Sequence, residues 1–112
     1  MKRDDRPYLE HIAEAIALIE EWTGYDRSRF IEDRLTRDAV LRNLHTLTES
    51  AGRLADNLTS RYPEVAWKDI IGFRNVVVHD YLGLKYEKVW SIIVERLPTL
   101  KQQIARILSE LP

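Results

Sequence analysis

Between residues 40 and 58 the aliphatic side chains fall at Val40, Leu44, Leu47, Ala51, Leu54 and Leu58. The steps alternate between four and three, which draws one apolar line along an α-helix instead of the every-second-residue pattern of a strand. A helix with one apolar line cannot bury it alone, so the chain must supply other helices with matching faces. It does. Leu9, Ile12, Ile16 and Ile19 recur at helical spacing, with Ala13 beside them and Trp22 closing the line. Near the C-terminus Tyr86, Trp90, Ile93, Leu97, Leu100, Ile104 and Ile107 repeat the pattern. The fold class expected is therefore all-α, an antiparallel four-helix bundle plus a short extra helix.

Local signals set the expected boundaries. Pro7 suits the first turn of a helix running to Trp22, and Gly24 suits the position just past its end. A loop and a short helix are expected from Tyr25 to Leu35, capped by Asp26 or Ser28, with Phe30, Ile31 and Leu35 turned inward. Thr36 reads as the cap of the long helix, with Asp38 in its favourable first turn, and Pro63 stops that helix. A fourth helix is expected from near Glu64, carrying Trp67, Ile70, Ile71, Val77 and Val78 and ending around Tyr81-Leu82-Gly83. The run of three valines also fits a buried strand, but nothing else in the chain offers it a strand partner. The last helix is expected from Lys85 to Leu108, with Pro98 kinking it or leaving the Val94 carbonyl unpaired.

Composition narrows the chemistry. The 112 residues fit one helical domain spanning residues 1–112. There is no cysteine, which removes disulfides, thiolate catalysis and cysteine-type zinc sites. His11, His45 and His79 are far apart and lack metal-ligand spacing, so neither a metal nor a cofactor is expected. A net charge of −1 rules out a polybasic nucleic-acid binder, so RNA would have to be met in a local groove, most simply between two copies of the chain. The polar start and the lack of a long apolar run point to a cytoplasmic protein away from the membrane.

The chemistry-bearing residues concentrate in Arg74-Asn75-Val76-Val77-Val78-His79-Asp80-Tyr81. In a helix, residues seven apart drift by only about 20°, so Arg74 and Tyr81 share a face. Asn75 and His79, four apart, are also neighbours. Gly72 in the preceding turn costs about 1 kcal/mol of helix propensity against alanine, which fits a place where a helix or ligand comes close. A guanidinium can pair two phosphate oxygens and stabilise the charge that builds in a transition state. An imidazole can take a hydroxyl proton or protonate a leaving oxygen. Together they suit RNA cleavage by the 2′-hydroxyl without a metal, with Asn75 orienting the phosphate or the histidine. Each residue also has a plainer reading: an ion-paired arginine, a helix-end histidine, an interface tyrosine.

The segment resembles a known family. Arg74-x4-His79 followed by Asp80-Tyr81 is similar to the R-x4-6-H signature of HEPN domains, in the H-x-Y form of HepT-type toxins. Trp67 through Asn75 resembles that family's W-x2-I-x-G-x-R-N lead-in. Phe30-Ile31-Glu32-Asp33 and Asp38 through Leu44 resemble its second segment and long helix. Val89-Trp90 and Leu97-Pro98 resemble its last helix. The resemblance implies a metal-independent endoribonuclease toxin of a type VII-like toxin–antitoxin system. It implies a homodimer with Arg74, Asn75 and His79 lining the interface cleft. The implied partner is an MntA-type nucleotidyltransferase antitoxin, which transfers AMP from ATP onto Tyr81. Adenylyl groups beside Arg74 and His79 would block the site by charge and bulk. The chain departs from the family at Thr48-Glu49-Ser50-Ala51, where G-E-A is common. Here the glycine is a threonine, and Glu49 reads as structural, pairing for instance with an arginine.

Two other readings compete with the nuclease. In one, a non-catalytic helical module binds a nucleotide phosphate through Arg74 and His79 and works with a nucleotidyltransferase. In the other, the motif is only helix-end packing in a structural dimer.

Overall fold

The computed structural model describes residues 4–80 and 86–112, excluding the side chains of Val78, His79 and Asp80. The described residues form seven helices and no strand: α1 (Arg6–Thr23), α2 (Arg27–Glu32), α3 (Arg34–Gly52), α4 (Asp56–Arg61), α5 (Trp67–Asp80), α6 (Tyr86–Glu95) and α7 (Leu97–Glu110). The fold is all-α, as the periodicity requires. α3 packs against both α1 and α5, α1 also meets α7, and α5 meets α6, so the elements close into a ring around one core. The molecule measures 45 × 23 × 23 Å. A width of 23 Å is about two helix diameters, the cross-section of a four-helix bundle.

The core is drawn from the lines read in the sequence. Leu9, Ile12, Ile16 and Ile19 of α1, Val40, Leu44 and Leu47 of α3, and Ile93, Leu97 and Ile104 of α6 and α7 are fully buried. Each such side chain contributes about 1.5–3 kcal/mol relative to an exposed one. Phe30 from the short α2 plugs one end, stacked on Trp90 at 5.8 Å and edge-on to Tyr86 at 6.4 Å.

The boundaries of α1 and α2 follow local chemistry. Gly24 ends α1 in the left-handed region (φ 56°), and its N–H donates to the Glu20 carbonyl. The Asp26 carboxylate caps α2 by accepting from the Ser28 N–H at 3.0 Å.

Several expectations are corrected. The cap of α3 is Asp33, whose carboxylate accepts from the Leu35 N–H at 3.2 Å and the Thr36 hydroxyl at 2.7 Å. A carboxylate can take both donors, whereas Thr36, two residues inside the helix, becomes a donor to the cap. Leu35 is therefore in the first turn and 81% exposed instead of turned inward.

The long helix does not continue to Pro63. It stops at Gly52, where the Arg53 and Leu54 N–H groups close tight turns onto the Ser50 and Ala51 carbonyls. The Asp5 carboxylate, from the start of α1, then accepts the Ala55 N–H at 3.1 Å. That tertiary bond turns the chain into α4, yet Leu54 and Leu58 stay buried because α4 resumes the same apolar face.

The fourth helix starts at Trp67, later than expected, and Ile71 on it is 42% exposed. The last helix is two helices that meet at Arg96. Pro98 has no N–H for the Val94 carbonyl, so it sits in the first turn of α7, where none is needed. The expected ends at Tyr81-Leu82-Gly83 and Lys85 lie outside the described residues.

Candidate functional site

α5 carries the candidate residues, and its two faces differ. Ile70, Phe73 and Val77 are buried in the core. Lys68, Ile71, Gly72, Arg74 and Asn75 are exposed. Among the described residues neither Arg74 nor Lys68 has a carboxylate within ion-pair range, and the Asn75 amide has no hydrogen-bond partner there. The helix runs without interruption through Asp80, so the backbone of His79 stands one helical turn beyond Asn75. The His79 side chain and the whole of Tyr81 lie outside the described residues. The structure thus places Arg74 and Asn75 on open helix surface and does not describe how they stand to the imidazole and the phenol.

Several charges elsewhere on the surface are paired. Arg96 donates to Asp69 at 3.0 Å and lies over the Phe73 ring at 5.5 Å. Lys101 sits 2.9 Å from Glu20, whose other oxygen accepts the Tyr25 hydroxyl at 2.8 Å. Burial alone would raise the Glu20 pKa, but the bonds from Lys101 and Tyr25 outweigh it and hold the carboxyl below its usual range. Burial, reinforced by the bond to Glu20, pushes the Tyr25 phenol up to about 12. Arg106 and Tyr62 converge on Glu110, and Arg27 pairs with Glu87. Arg74 has no such partner among the described residues, a state it shares with the exposed Arg42 and Lys88.

Gly72 is open to solvent. A Cβ added there would meet nothing within 4 Å among the described residues, so no other described helix approaches it. Glu49, half-exposed on α3, faces His45 (Nε2–Oε1 3.9 Å) and not an arginine. Thr48, at the position of the family's glycine, is buried and donates its hydroxyl to the His45 carbonyl at 2.6 Å. The threonine is accommodated because its hydroxyl turns back onto its own helix. Ser50 joins His11 of α1 (Oγ–Nδ1 2.6 Å), tying α1 to α3. Among the described residues no group of histidines, aspartates or glutamates is arranged to hold a metal ion.

Two features had no signal in the sequence. Arg37 lies 4.4 Å over the Tyr86 ring and donates Nη1 to the Ile31 carbonyl at 2.7 Å, while its buried Nε has no partner. It braces α2 and α3 against the start of α6. The second is an open groove of about 550 Å³ between the end of α3, α4 and the first turns of α5, with Trp67, Lys68 and Ile71 in its wall. The first joins residues far apart in sequence and the second depends on the turns between successive helices, so no local motif marks either.

Comparisons with known proteins agree with this architecture. The Ribonuclease HepT-like family matches residues 12–107. A provisionally named RNase of Caldanaerobacter subterraneus subsp. tengcongensis is 34% identical over 94% of this chain and 95% of its own length. The "Probable ribonuclease HepT" of Thermococcus cleftensis is 33% identical over 96% of this chain and 98% of its own. A provisionally named RNase of Methanocaldococcus jannaschii is 32% identical over 92% and 95%, respectively. No solved structure matches the chain. With a family match over most of its length, and relatives above 30% identity that align nearly end to end, this chain belongs to the HepT-like ribonuclease family.

Proposed function

We propose that the protein is a metal-independent endoribonuclease toxin whose site is built on α5. Arg74 holds the scissile phosphate through paired N–H···O bonds, and Asn75 orients it. His79 takes the proton of the 2′-hydroxyl as that oxygen attacks phosphorus. The bond from phosphorus to the 5′-oxygen breaks, and the departing oxygen gains a proton. The products are a 2′,3′-cyclic phosphate and a 5′-hydroxyl. One imidazole performs one proton transfer at a time, so a cleft between two copies, each giving an Arg74 and a His79, completes the acid–base pair. The open surface at Gly72 leaves room for a second copy or the RNA to come close.

In this reading Tyr81 is the off-switch. A nucleotidyltransferase antitoxin of the MntA type moves AMP from ATP to the phenol oxygen and releases pyrophosphate. The added phosphate then competes for Arg74, and its bulk closes the cleft.

The observation that carries the reading is the exposure of Arg74 and Asn75, without partners among the described residues, on the helix that runs through His79. It gains weight from relatives named as RNases. The test is RNA cleavage in EDTA by the wild type and His79→Ala. Cleavage by the wild type alone supports it. Equal cutting by both removes His79 from the chemistry and defeats it, and no cutting by a folded unmodified dimer that still binds nucleotides in calorimetry replaces it with a non-catalytic binding module. Intact mass after co-expression with a nucleotidyltransferase tests the switch. Adenylyl increments on Tyr81 support it, and increments elsewhere defeat it.

A further inference from the structure

The groove between α3, α4 and α5 lies on the helix that carries Arg74 and Asn75 but belongs to no step of the cleavage chemistry. Ile71 is in its wall, and Asn75 stands one helical turn further on, a rise of about 6 Å. A nucleic-acid strand held at Arg74 can therefore reach the groove within a nucleotide or two. Its volume of about 550 Å³ suits a small planar ligand. Leu54, Ile71 and the Trp67 ring supply apolar surface. Asp56, Thr59 and Ser60 of α4 supply polar edges.

The charges in the groove select its occupant. Asp69 is tied to Arg96, but the Asp56 carboxylate meets no cation among the described residues. A phosphate placed beside Asp56 would be repelled. A second copy of the chain seated on the groove would have to set a cation against that carboxylate or leave it buried and unpaired, at considerable cost. A nucleobase fits better, since its faces pack on the apolar wall while its N–H groups satisfy the acid. A carboxylate only accepts hydrogen bonds, and guanine offers two N–H donors side by side on its pairing edge. Lys68, in the groove's wall and without an ion-pair partner among the described residues, would meet the adjoining phosphate.

We propose that this groove is a guanine-binding subsite for the RNA substrate, a nucleotide or two from the bond cut on α5. The proposal rests on the ribonuclease reading. It gives that activity a sequence preference set by Asp56.

Two substitutions test it without touching the proposed catalytic residues. Gly52 lines the groove, is helical, and has nothing within 4 Å of an added Cβ. Gly52→Leu therefore fills the groove while favouring the helix. Asp56→Asn keeps the shape and removes the charge. Short oligonucleotides with a single guanine moved through each position around the cut are incubated with each full-length protein in EDTA. The wild type is expected to favour guanine at one position by roughly tenfold in kcat/KM. Asp56→Asn loses that preference while cutting guanine-free oligonucleotides at the wild-type rate. Gly52→Leu raises KM for the preferred oligonucleotide by a similar factor with kcat unchanged.

Unchanged base preference in both variants overturns the subsite. So does a change in sedimentation of Gly52→Leu without a change in preference, which assigns the groove to self-association. If the wild type cuts nothing, the ribonuclease reading fails by itself. Fluorescence anisotropy with the same oligonucleotides then decides the subsite: guanine-dependent binding lost in Asp56→Asn sustains it, and its absence overturns it.

Discussion

The two faces of α5 hold residues of similar size to different ends. On one, Ile70, Phe73 and Val77 are buried, and their neighbours on α3 and α6 leave little freedom of choice. On the other, Lys68, Ile71, Gly72, Arg74 and Asn75 face outward. Among the described residues, neither basic residue has a carboxylate within ion-pair range and nothing lies within 4 Å of a Cβ added at the glycine. Packing explains the first set completely and the second not at all. Under the proposed function, an RNA ligand accounts for the arginine and the asparagine where burial does not.

This contrast can be broken by mutation. The largest effect is expected on the outer side. His79→Ala should lower RNA cleavage by about 10²–10⁴-fold, and Arg74→Ala by about 10²–10³-fold, each with an unaltered thermal melt. A lower melting temperature in Arg74→Ala, with cleavage intact, would return that arginine to a structural role. On the inner side the result should be reversed. Ile16→Ala, at a fully buried position of α1, should cost about 2–5 kcal/mol in urea unfolding while preserving kcat per folded molecule.

Helix ends come next. Asp33→Ala leaves the Leu35 N–H and the Thr36 hydroxyl without their acceptor and should cost about 1 kcal/mol, with cleavage unchanged.

The smallest effects are in the pH dependence of the paired surface. Tyr25 is raised to about 12, so the stability it adds is complete below its ordinary pKa and disappears as pH climbs through about 12. Glu20 is lowered, so its contribution is complete above the ordinary carboxylate range and is lost as pH falls through its depressed value. Unfolding measured against pH should show both limbs flattened in Tyr25→Phe, and the acid limb flattened in Glu20→Gln. An alkaline limb identical in Tyr25→Phe would show that the Tyr25–Glu20 bond adds no stability.

How legible this molecule was in its sequence varies by region. The buried lines of α1, α3 and α7 could be read residue by residue, because burial in a bundle repeats with the helical period. The end of α1 was equally plain, since few residues other than glycine tolerate a positive φ. The α3 cap was misplaced by three residues because Asp33 and Thr36 both carry cap chemistry, and only the backbone geometry shows which accepts. The break at Gly52 was missed for a different reason. The apolar spacing continues unbroken through Leu54 and Leu58, and the turn is held by Asp5, fifty residues away in the chain. Pro98 was recognised as a disturbance, but whether a proline kinks a helix or starts a new one depends on its neighbours. Of the candidate site, Arg74 and Asn75 were chosen from residue type and spacing, and their exposure on α5 fits that choice, while the groove beside them was invisible.

The sequence by itself determined the all-α class, the core residues of the main helices and the placing of Arg74, Asn75 and His79 on one helix. All of these follow from short-range periodicity and side-chain chemistry. Only the tertiary structure decided where the long helices break and which face of α5 stays open. It alone brought the Asp56 carboxylate beside Trp67 and Ile71. Those outcomes depend on how successive helices turn and pack on one another, including the Asp5 bond that sets the turn after α3, which no local pattern records.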